Sequence, residues 1–257
     1  MNRRSQIRNA LGLVLGLAFV PWTMAQDAPA GDELPSAESI LDRYVEVTGG
    51  AAVYESRTSE AISGTFEIVA AGLVGQLQLL IEPGMQRTSI ELPGVGLLES
   101  GVKDGLAWEN TAITGPRILE GSEAELAILS ARPGAAARWR EQYSTVETAG
   151  RGDVNGEPVY RVVQTLSTGD SLTSSFSVDS GLLVKNELTL PTPLGDIPVE
   201  QFFEEYSDFD GILSPSRLVM LNAGQRIVMT FTSGEANVDI PDERFDLPEP
   251  VQAILAE

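Results

Sequence analysis

The chain has 257 residues, 42% of them apolar, which is enough for a sizeable core in one large domain or two small ones. Its 37 acidic and 17 basic residues give a formal net charge of −20, which argues against binding to nucleic acid or to anionic membranes. Cysteine and histidine are absent. Disulfide bonds, Ser-His-Asp and Cys-His catalysis, and metal sites built on imidazole or thiolate are therefore excluded.

The first 25 residues have the three parts of a secretory signal peptide. The basic start contains Arg3, Arg4 and Arg8, and an eleven-residue apolar run follows at residues 10–20. Thr23-Met24-Ala25 then has small residues at the two positions that a signal peptidase reads. The apolar run is about half of what a membrane-spanning helix needs. We therefore expect export and cleavage after Ala25. Because no cysteine can carry a lipid anchor, we expect the mature protein to be soluble.

The segment after the predicted cleavage site is residues 26–35. It is small and polar and contains proline and glycine, so we expect a flexible leader. No internal repeat or change in composition follows, and we expect a single domain over residues 36–257.

One amphipathic helix opens this domain. Ser36 is a good N-cap, and Gly49-Gly50 is a typical helix end. Apolar residues recur between them at helical spacing, at Ile40, Leu41, Tyr44 and Val45.

From about Arg57 the apolar period changes to two residues, which is typical of strands. Leu77, Leu79 and Ile81 alternate with their neighbours before a turn at Glu82-Pro83-Gly84. Further hairpin turns are predicted at Lys103-Asp104-Gly105, Asn155-Gly156, Asp179-Ser180-Gly181, Asp210-Gly211 and Asn222-Ala223-Gly224. Tight turns join antiparallel strands, and about ten strands in one meander require a large, strongly curved sheet or a barrel.

A helical insertion interrupts the strands. Ser122 and Glu125 have the spacing of a capping box, and Arg132-Pro133-Gly134 ends the helix that they open. A second short helix is predicted to follow, with Trp139 and Tyr143 on one side. We expect these two helices to form a lid over an open end of the sheet.

Three kinds of catalytic or metal site remain possible without histidine and cysteine: a carboxylate pair, a Ser-Lys pair and a calcium site with oxygen ligands. No carboxylate pair stands out, and the only lysines, Lys103 and Lys185, lie in predicted turns. Residues 208–211 resemble the middle of an EF-hand loop, but Tyr206 and Arg217 occupy its first and last ligand positions. We predict a hairpin turn there, and no enzyme, metal or cofactor.

Six segments, taken in chain order, match the sequence pattern of a known protein family. They are the helix end Thr48-Gly49-Gly50, the strand VGQLQLLIEPG, DGLAWE with the later GPR, the hairpin VDSGLL, YSDFDG with Pro215, and NVDIPDERFDLP. Their order resembles the LolA-like lipoprotein-carrier superfamily, in particular its members of the outer-membrane lipoprotein-sorting type. The resemblance covers nearly all of the chain after residue 36.

This resemblance implies a mainly β (α+β) fold, a strongly curved antiparallel half-barrel with helices covering its concave side. It also implies a soluble, monomeric periplasmic carrier or binding protein for a lipid or lipidated protein, held in an apolar cavity between sheet and lid. Carriers of the family commonly have an arginine directly before the proline that ends the second strand. This chain has Glu82 before Pro83, and Arg87 five positions later.

The residues that we expect to line such a cavity are apolar and lie on the second strand, the strands after it and the lid. They are Leu77, Leu79, Ile81, Leu97, Leu98, Trp108, Leu126, Leu129 and Trp139. The alternative function is a periplasmic sensor or adaptor that docks a basic envelope protein through its acidic surface.

Overall fold

The computed structural model describes residues 33–112, 114–192, 195–222 and 224–256. The predicted signal peptide, and most of the predicted leader, lie outside the described residues. No helix in the described part of the chain is both long enough and apolar enough to cross a membrane.

Two helices open the described chain, α1 at Ala37–Val47 and α2 at Ala51–Glu55. The predicted cap is confirmed, because Ser36 Oγ accepts a hydrogen bond from the Ser39 N–H at 3.2 Å. Gly49 and Gly50 both have positive φ and separate the two helices.

The described residues then form thirteen strands. They are β1 Glu60–Ile68, β2 Leu73–Glu82, β3 Met85–Leu92, β4 Gly96–Lys103, β5 Leu106–Thr111, β6 Gly115–Ile118, β7 Thr145–Val154, β8 Glu157–Thr165, β9 Ser171–Ser177, β10 Leu183–Thr192, β11 Gly195–Phe209, β12 Ile212–Asn222 and β13 Gln225–Ala236. All of them join one antiparallel sheet, in the order β6-β5-β4-β3-β2-β1-β13-β12-β11-β10-β9-β8-β7. With β6 and β7 as its edges, the sheet does not close, and the predicted half-barrel class is confirmed.

The sheet is built differently from the single meander of about ten strands that we predicted. The chain meanders outward from β1 to the edge strand β6, and then starts again at the other edge with β7 and returns to β13. The last strand pairs with the first over nine residues of β1. The helical insertion between β6 and β7 therefore connects the two edges of the sheet, which local turn signals do not reveal.

Three predicted turns have the backbone of type I′ hairpins. Asp104, Asn155 and Asp210 have φ of 54°, 54° and 56°, and each precedes a glycine with positive φ. Asp208 Oδ1 accepts a hydrogen bond from the Gly211 N–H at 3.0 Å. The segment that resembles an EF-hand loop is therefore a hairpin turn, as predicted.

The insertion contains α3 at Gly121–Ser130, a 3₁₀ turn at Ala135–Arg138 and α4 at Trp139–Gln142. We call residues 121–142 the lid. The predicted capping box is wrong, because α3 begins two residues earlier than predicted, with Glu120 and not Ser122 at the N-cap, and Ser122 Oγ is buried without a hydrogen bond. Glu125 instead accepts hydrogen bonds from the N–H groups of Ser167 and Thr168, at 2.7 and 3.1 Å.

The two faces of the sheet carry different layers. Helices α1 to α4 cover the face that we call the inner face, where α1 packs on Val162 and Phe176 and α3 packs on Val102 and Ala107. The C-terminal residues 237–256 pack on the opposite, outer face. They include a 3₁₀ turn at Asp242–Phe245 and α5 at Glu249–Leu255, and Ile240 and Phe245 bury Leu80.

Candidate functional site

A cavity of about 280 Å³ lies between the inner face and the helices. Its sheet side comes from β1, β2, β11, β12 and β13, and its helical side from α1, α2 and the lid. The lining residues are mostly apolar or aromatic, and include Tyr44, Tyr54, Ile62, Leu79, Ile81, Ala135, Ala136, Phe209, Ile212, Pro215 and Phe231. Such a lining suits an apolar ligand and not a hydrated ion.

The apolar surface continues along the inner face beyond the cavity. Phe231 lines the cavity and also packs against a cluster built on Phe66, Leu77 and Leu92. Around that cluster lie half-buried apolar side chains, among them Ile90, Leu98 and Met229. Because these side chains are only partly covered, the inner face provides apolar contact surface next to the cavity as well.

One ion pair stands in the wall of this apolar cavity. Arg57 Nη1 lies 3.6 Å from Glu60 Oε1, and the two side chains are only 6% and 13% exposed. Arg57 Nη2 donates to the carbonyl oxygens of Phe209 and Asp210, at 2.8 and 3.0 Å. The guanidinium therefore ties the start of β1 to the turn between β11 and β12.

The same ion pair reaches the lid. Glu60 Oε1 accepts a hydrogen bond from the Gly134 N–H at 2.9 Å. A second contact joins the turn between β2 and β3 to the end of α3, where the Gly84 N–H donates to the Ala131 carbonyl at 2.9 Å. The lid is thus hydrogen-bonded to the sheet on both sides of Arg132.

Ion pairs at the protein surface hold the lid at its two ends. Arg140 forms a bidentate pair with Asp42 of α1, at 2.8 and 2.7 Å. Arg117 of β6 contacts Glu123 of α3 at 2.8 Å. Water screens exposed pairs of this kind, so they orient the lid more than they stabilise it.

Two tyrosines form the part of the cavity wall next to α1. Tyr54 shares a hydrogen bond with Thr48 Oγ1 at 2.7 Å. Burial raises the pKa of the Tyr44 and Tyr54 phenols above the ordinary value, so both stay neutral. Neutral, hydrogen-bonded phenols suit a wall for an apolar ligand.

The predicted lining residues fall into two groups on the inner side. Leu79 and Ile81 line the cavity. Leu77 and Leu98 belong to the adjoining cluster, and Trp139 packs in the core beneath α1. Two residues of the lid, Leu126 and Leu129, are half-buried on α3 and do not line this cavity.

Leu97 and Trp108 lie on the outer face. Trp108 is paired with Gly101 across neighbouring strands, Gly101 with Arg87, and Arg87 with Leu80. Leu80 lies beneath the C-terminal segment on the outer face. Residues directly opposite each other in a sheet share a face, so Trp108 points away from the lid and is fully buried there. Leu97 pairs with Glu91 and is 48% exposed.

Glu82, at the position of the carrier arginine, also points to the outer face. It is two residues from Leu80 and therefore on the same side of β2. Burial, and the nearby carboxylates of Asp242 and Asp239, raise the pKa of Glu82. Arg87 is on this face too, where it donates to the carbonyl of Asp246 at 2.9 Å. Among the described residues, neither side chain has a hydrogen bond or an ion pair with the lid.

Sequence reasoning missed the charged residues and one aromatic residue of the site, namely Arg57, Glu60, Arg132 and Phe231. Opposite charges three residues apart, directly before the first strand, were the available signal for Arg57 and Glu60. Charged residues at a strand start are usually solvated, so this signal is weak on its own.

The lysines that remained as catalytic candidates are both ion-paired. Lys103 contacts Asp246, and Lys185 contacts Glu187 and Glu200. Among the described residues no cluster of three or more acidic side chains is arranged to hold a metal ion.

No protein-family model matches this chain, and no curated protein sequence matches it. Solved structures do. A LolA superfamily protein from Nitrosomonas europaea is 16% identical, with a TM-score of 0.56, over 83% of this chain and 99% of its own. A DUF1329 family protein from Desulfovibrio piger is 13% identical, with a TM-score of 0.54, over 82% of this chain and 97% of its own. The chain therefore has the LolA-like fold.

Proposed function

We propose that this chain is a periplasmic carrier or binding protein for a lipid or a lipidated molecule, held between the inner face and the lid. The single observation that carries the proposal is the apolar cavity of about 280 Å³ between sheet and helices. Its volume is near the lower end of the range of small-molecule sites, about 300–1,000 Å³.

The hydrophobic effect supplies the affinity in this account. Burial of each CH₂ group contributes about 0.8 kcal/mol, so ten buried methylenes contribute about 8 kcal/mol before the costs of association. The half-buried apolar side chains next to Phe231 extend the contact surface available to a long chain.

The lid supplies entry and exit. Its contacts with the sheet include two hydrogen bonds, one from the Gly84 N–H to the Ala131 carbonyl and one from the Gly134 N–H to the Glu60 carboxylate. The first contributes about 0.5–1.5 kcal/mol and the second, which has a charged acceptor, about 1.5–3 kcal/mol, so the lid can move away without unfolding of the sheet.

The proposal is tested on purified protein. Organic extracts, analysed by mass spectrometry, are expected to contain a co-purifying lipid, and delipidated protein is expected to bind a fluorescent fatty acid saturably. If neither result is obtained, the proposal fails. Association with basic envelope proteins that disappears at high salt, without any bound lipid, would instead favour the acidic docking surface.

A further inference from the structure

We infer that the cavity selects an amphiphile with one acyl chain and a carboxylate head, and that Arg57 and Arg132 bind this head. The inference rests on the proposed function and adds to it the charge of the head group and the number of chains.

Arg57 has donors that the described residues do not satisfy. A guanidinium carries five N–H groups, and those of Nη2 donate to two backbone carbonyls. Nη1 is 3.6 Å from Glu60, which is too long for a hydrogen bond, and Nε is buried with no partner among the described residues. A buried donor left unpaired is unfavourable, so a ligand that supplies an acceptor to it is bound more tightly.

Arg132 lines the same cavity from the lid side. Its side chain is 43% exposed and forms an ion pair with Glu141, at 3.2 Å. Arg132 therefore lies where the cavity meets solvent, while Arg57 lies inside. An anionic head at this end would be close to two guanidinium groups.

The charge of the cavity wall differs from that of the chain. The chain has 37 acidic and 17 basic residues, but the charged side chains that face the cavity are Arg57, Arg132 and Glu60. Glu235 borders the cavity, but it pairs with Ala61, so its side chain is on the outer face. Glu60 already accepts the hydrogen bond from Gly134. In an otherwise acidic molecule, this wall offers donors to an anion.

The chemistry of the head follows from these donors. Carboxylates accept charge-assisted hydrogen bonds from arginine, often two at once. A neutral head would leave part of the Arg57 donor capacity unused, and a cationic head would be repelled at low dielectric. The cavity volume of about 280 Å³ fits one small ligand, so we expect one chain per protein.

The test is competition on the unaltered protein, with three amphiphiles of equal chain length below their micelle concentrations. Laurate, dodecanol and dodecyltrimethylammonium displace a neutral fluorescent probe, Nile red, at pH 8. We expect laurate to displace the probe at a concentration at least tenfold lower than either competitor. Non-specific attraction would favour the cation, because the chain is strongly acidic.

Variants connect this preference to the two arginines. Arg132→Gln is expected to reduce the laurate preference at least fivefold. Arg226→Gln, which removes an exposed charge outside the cavity, is expected to leave it unchanged. Arg57→Lys keeps the charge but has fewer donors, and is expected to reduce the preference in protein whose unfolding remains cooperative.

The outcomes separate the two proposals. Equal displacement by all three amphiphiles, or an unchanged preference in Arg132→Gln, would overturn the inference and leave the carrier function standing. Two or more laurates per chain in native mass spectra would overturn the single-chain assignment. Failure of the probe and of all three amphiphiles to bind would overturn the carrier function itself.

Discussion

Glu60 of β1 accepts a hydrogen bond from the Gly134 N–H of the lid at 2.9 Å, in the wall of the cavity. The same carboxylate faces Arg57, whose guanidinium is hydrogen-bonded to the turn between β11 and β12. One acidic side chain thus connects the lid with the arginine that we assign to ligand binding. Movement of the lid and occupation of the cavity are therefore expected to affect each other.

Removal of the Glu60 carboxylate should loosen the lid. Glu60→Ala leaves the Gly134 N–H unpaired and the Arg57 charge without its partner, and we expect a loss of about 1–3 kcal/mol in the free energy of unfolding. Urea denaturation measures the loss, and hydrogen exchange should show faster exchange across residues 130–138. Glu235→Ala, at an exposed position near the cavity whose side chain is on the outer face, is the control and should change stability by less than about 0.5 kcal/mol. Equal effects of the two substitutions would contradict the assigned contact.

Gly134 should be more sensitive to substitution than a glycine with the same backbone. Gly134 and Gly72 have φ of 65° and 61°, with ψ of 27° in both. A Cβ at Gly134 would lie 2.4 Å from the Tyr54 carbonyl oxygen, whereas a Cβ at Gly72 has no atom within 4 Å.

Both alanine variants therefore have the same backbone penalty, of about 1 kcal/mol, and only Gly134→Ala also has a steric clash. We expect Gly134→Ala to lower Tm more than Gly72→Ala and to weaken binding of a fluorescent fatty acid. A Tm for Gly134→Ala equal to that of Gly72→Ala would show that the lid does not pack against Tyr54 in this way.

Trp108 should matter for stability and not for the ligand. It is fully buried on the outer face, away from the cavity. We expect Trp108→Ala to cost about 3–5 kcal/mol in urea denaturation. Fatty-acid affinity, measured on the folded fraction at low temperature, should change by less than about twofold, a small free-energy difference. A tenfold loss of affinity in folded protein would place Trp108 at the ligand.

Glu82 should make the fold less stable at neutral pH. Burial and the carboxylates of Asp242 and Asp239 raise its pKa above the ordinary 4.5. A carboxyl whose pKa is higher in the folded state destabilises the fold when ionised, and this cost disappears as the pH falls below the ordinary value.

Glu82→Gln is therefore expected to raise Tm at pH 7 and to leave it nearly unchanged at about pH 3.5, where both side chains are neutral. Thermal scans at the two pH values measure the difference. Glu157→Gln, at an exposed position, serves as the control. A lower Tm for Glu82→Gln at pH 7 would show that the Glu82 charge is stabilising.

Local signals predicted the local structure well. The cap at Ser36 and the Asp104, Asn155 and Asp210 turns have the predicted backbone, because each depends on a few neighbouring residues. The alternation of Leu77, Leu79 and Ile81 correctly placed them on one face. It did not show where along that face the cavity lies, since this depends on how far the lid extends.

Long-range packing accounts for the misplaced residues. The C-terminal segment covers the outer face, so that face is also apolar, and Trp108 is buried there. A single strand sequence cannot show which of two covered faces a tryptophan enters. Arg57 and Glu60 were missed for a related reason, because their burial depends on the lid and on the turn after β11.

The central claim is that an acyl chain occupies the space next to Leu79. The most direct measurement is a fluorescent fatty-acid titration of the unaltered protein, of Leu79→Trp, which fills the cavity, and of Leu97→Trp, which adds the same group on the outer face. We predict saturable binding of one probe per chain, an affinity at least tenfold lower for Leu79→Trp, and unchanged affinity for Leu97→Trp. Equal binding by Leu79→Trp and the unaltered protein, with both folded, would contradict this account.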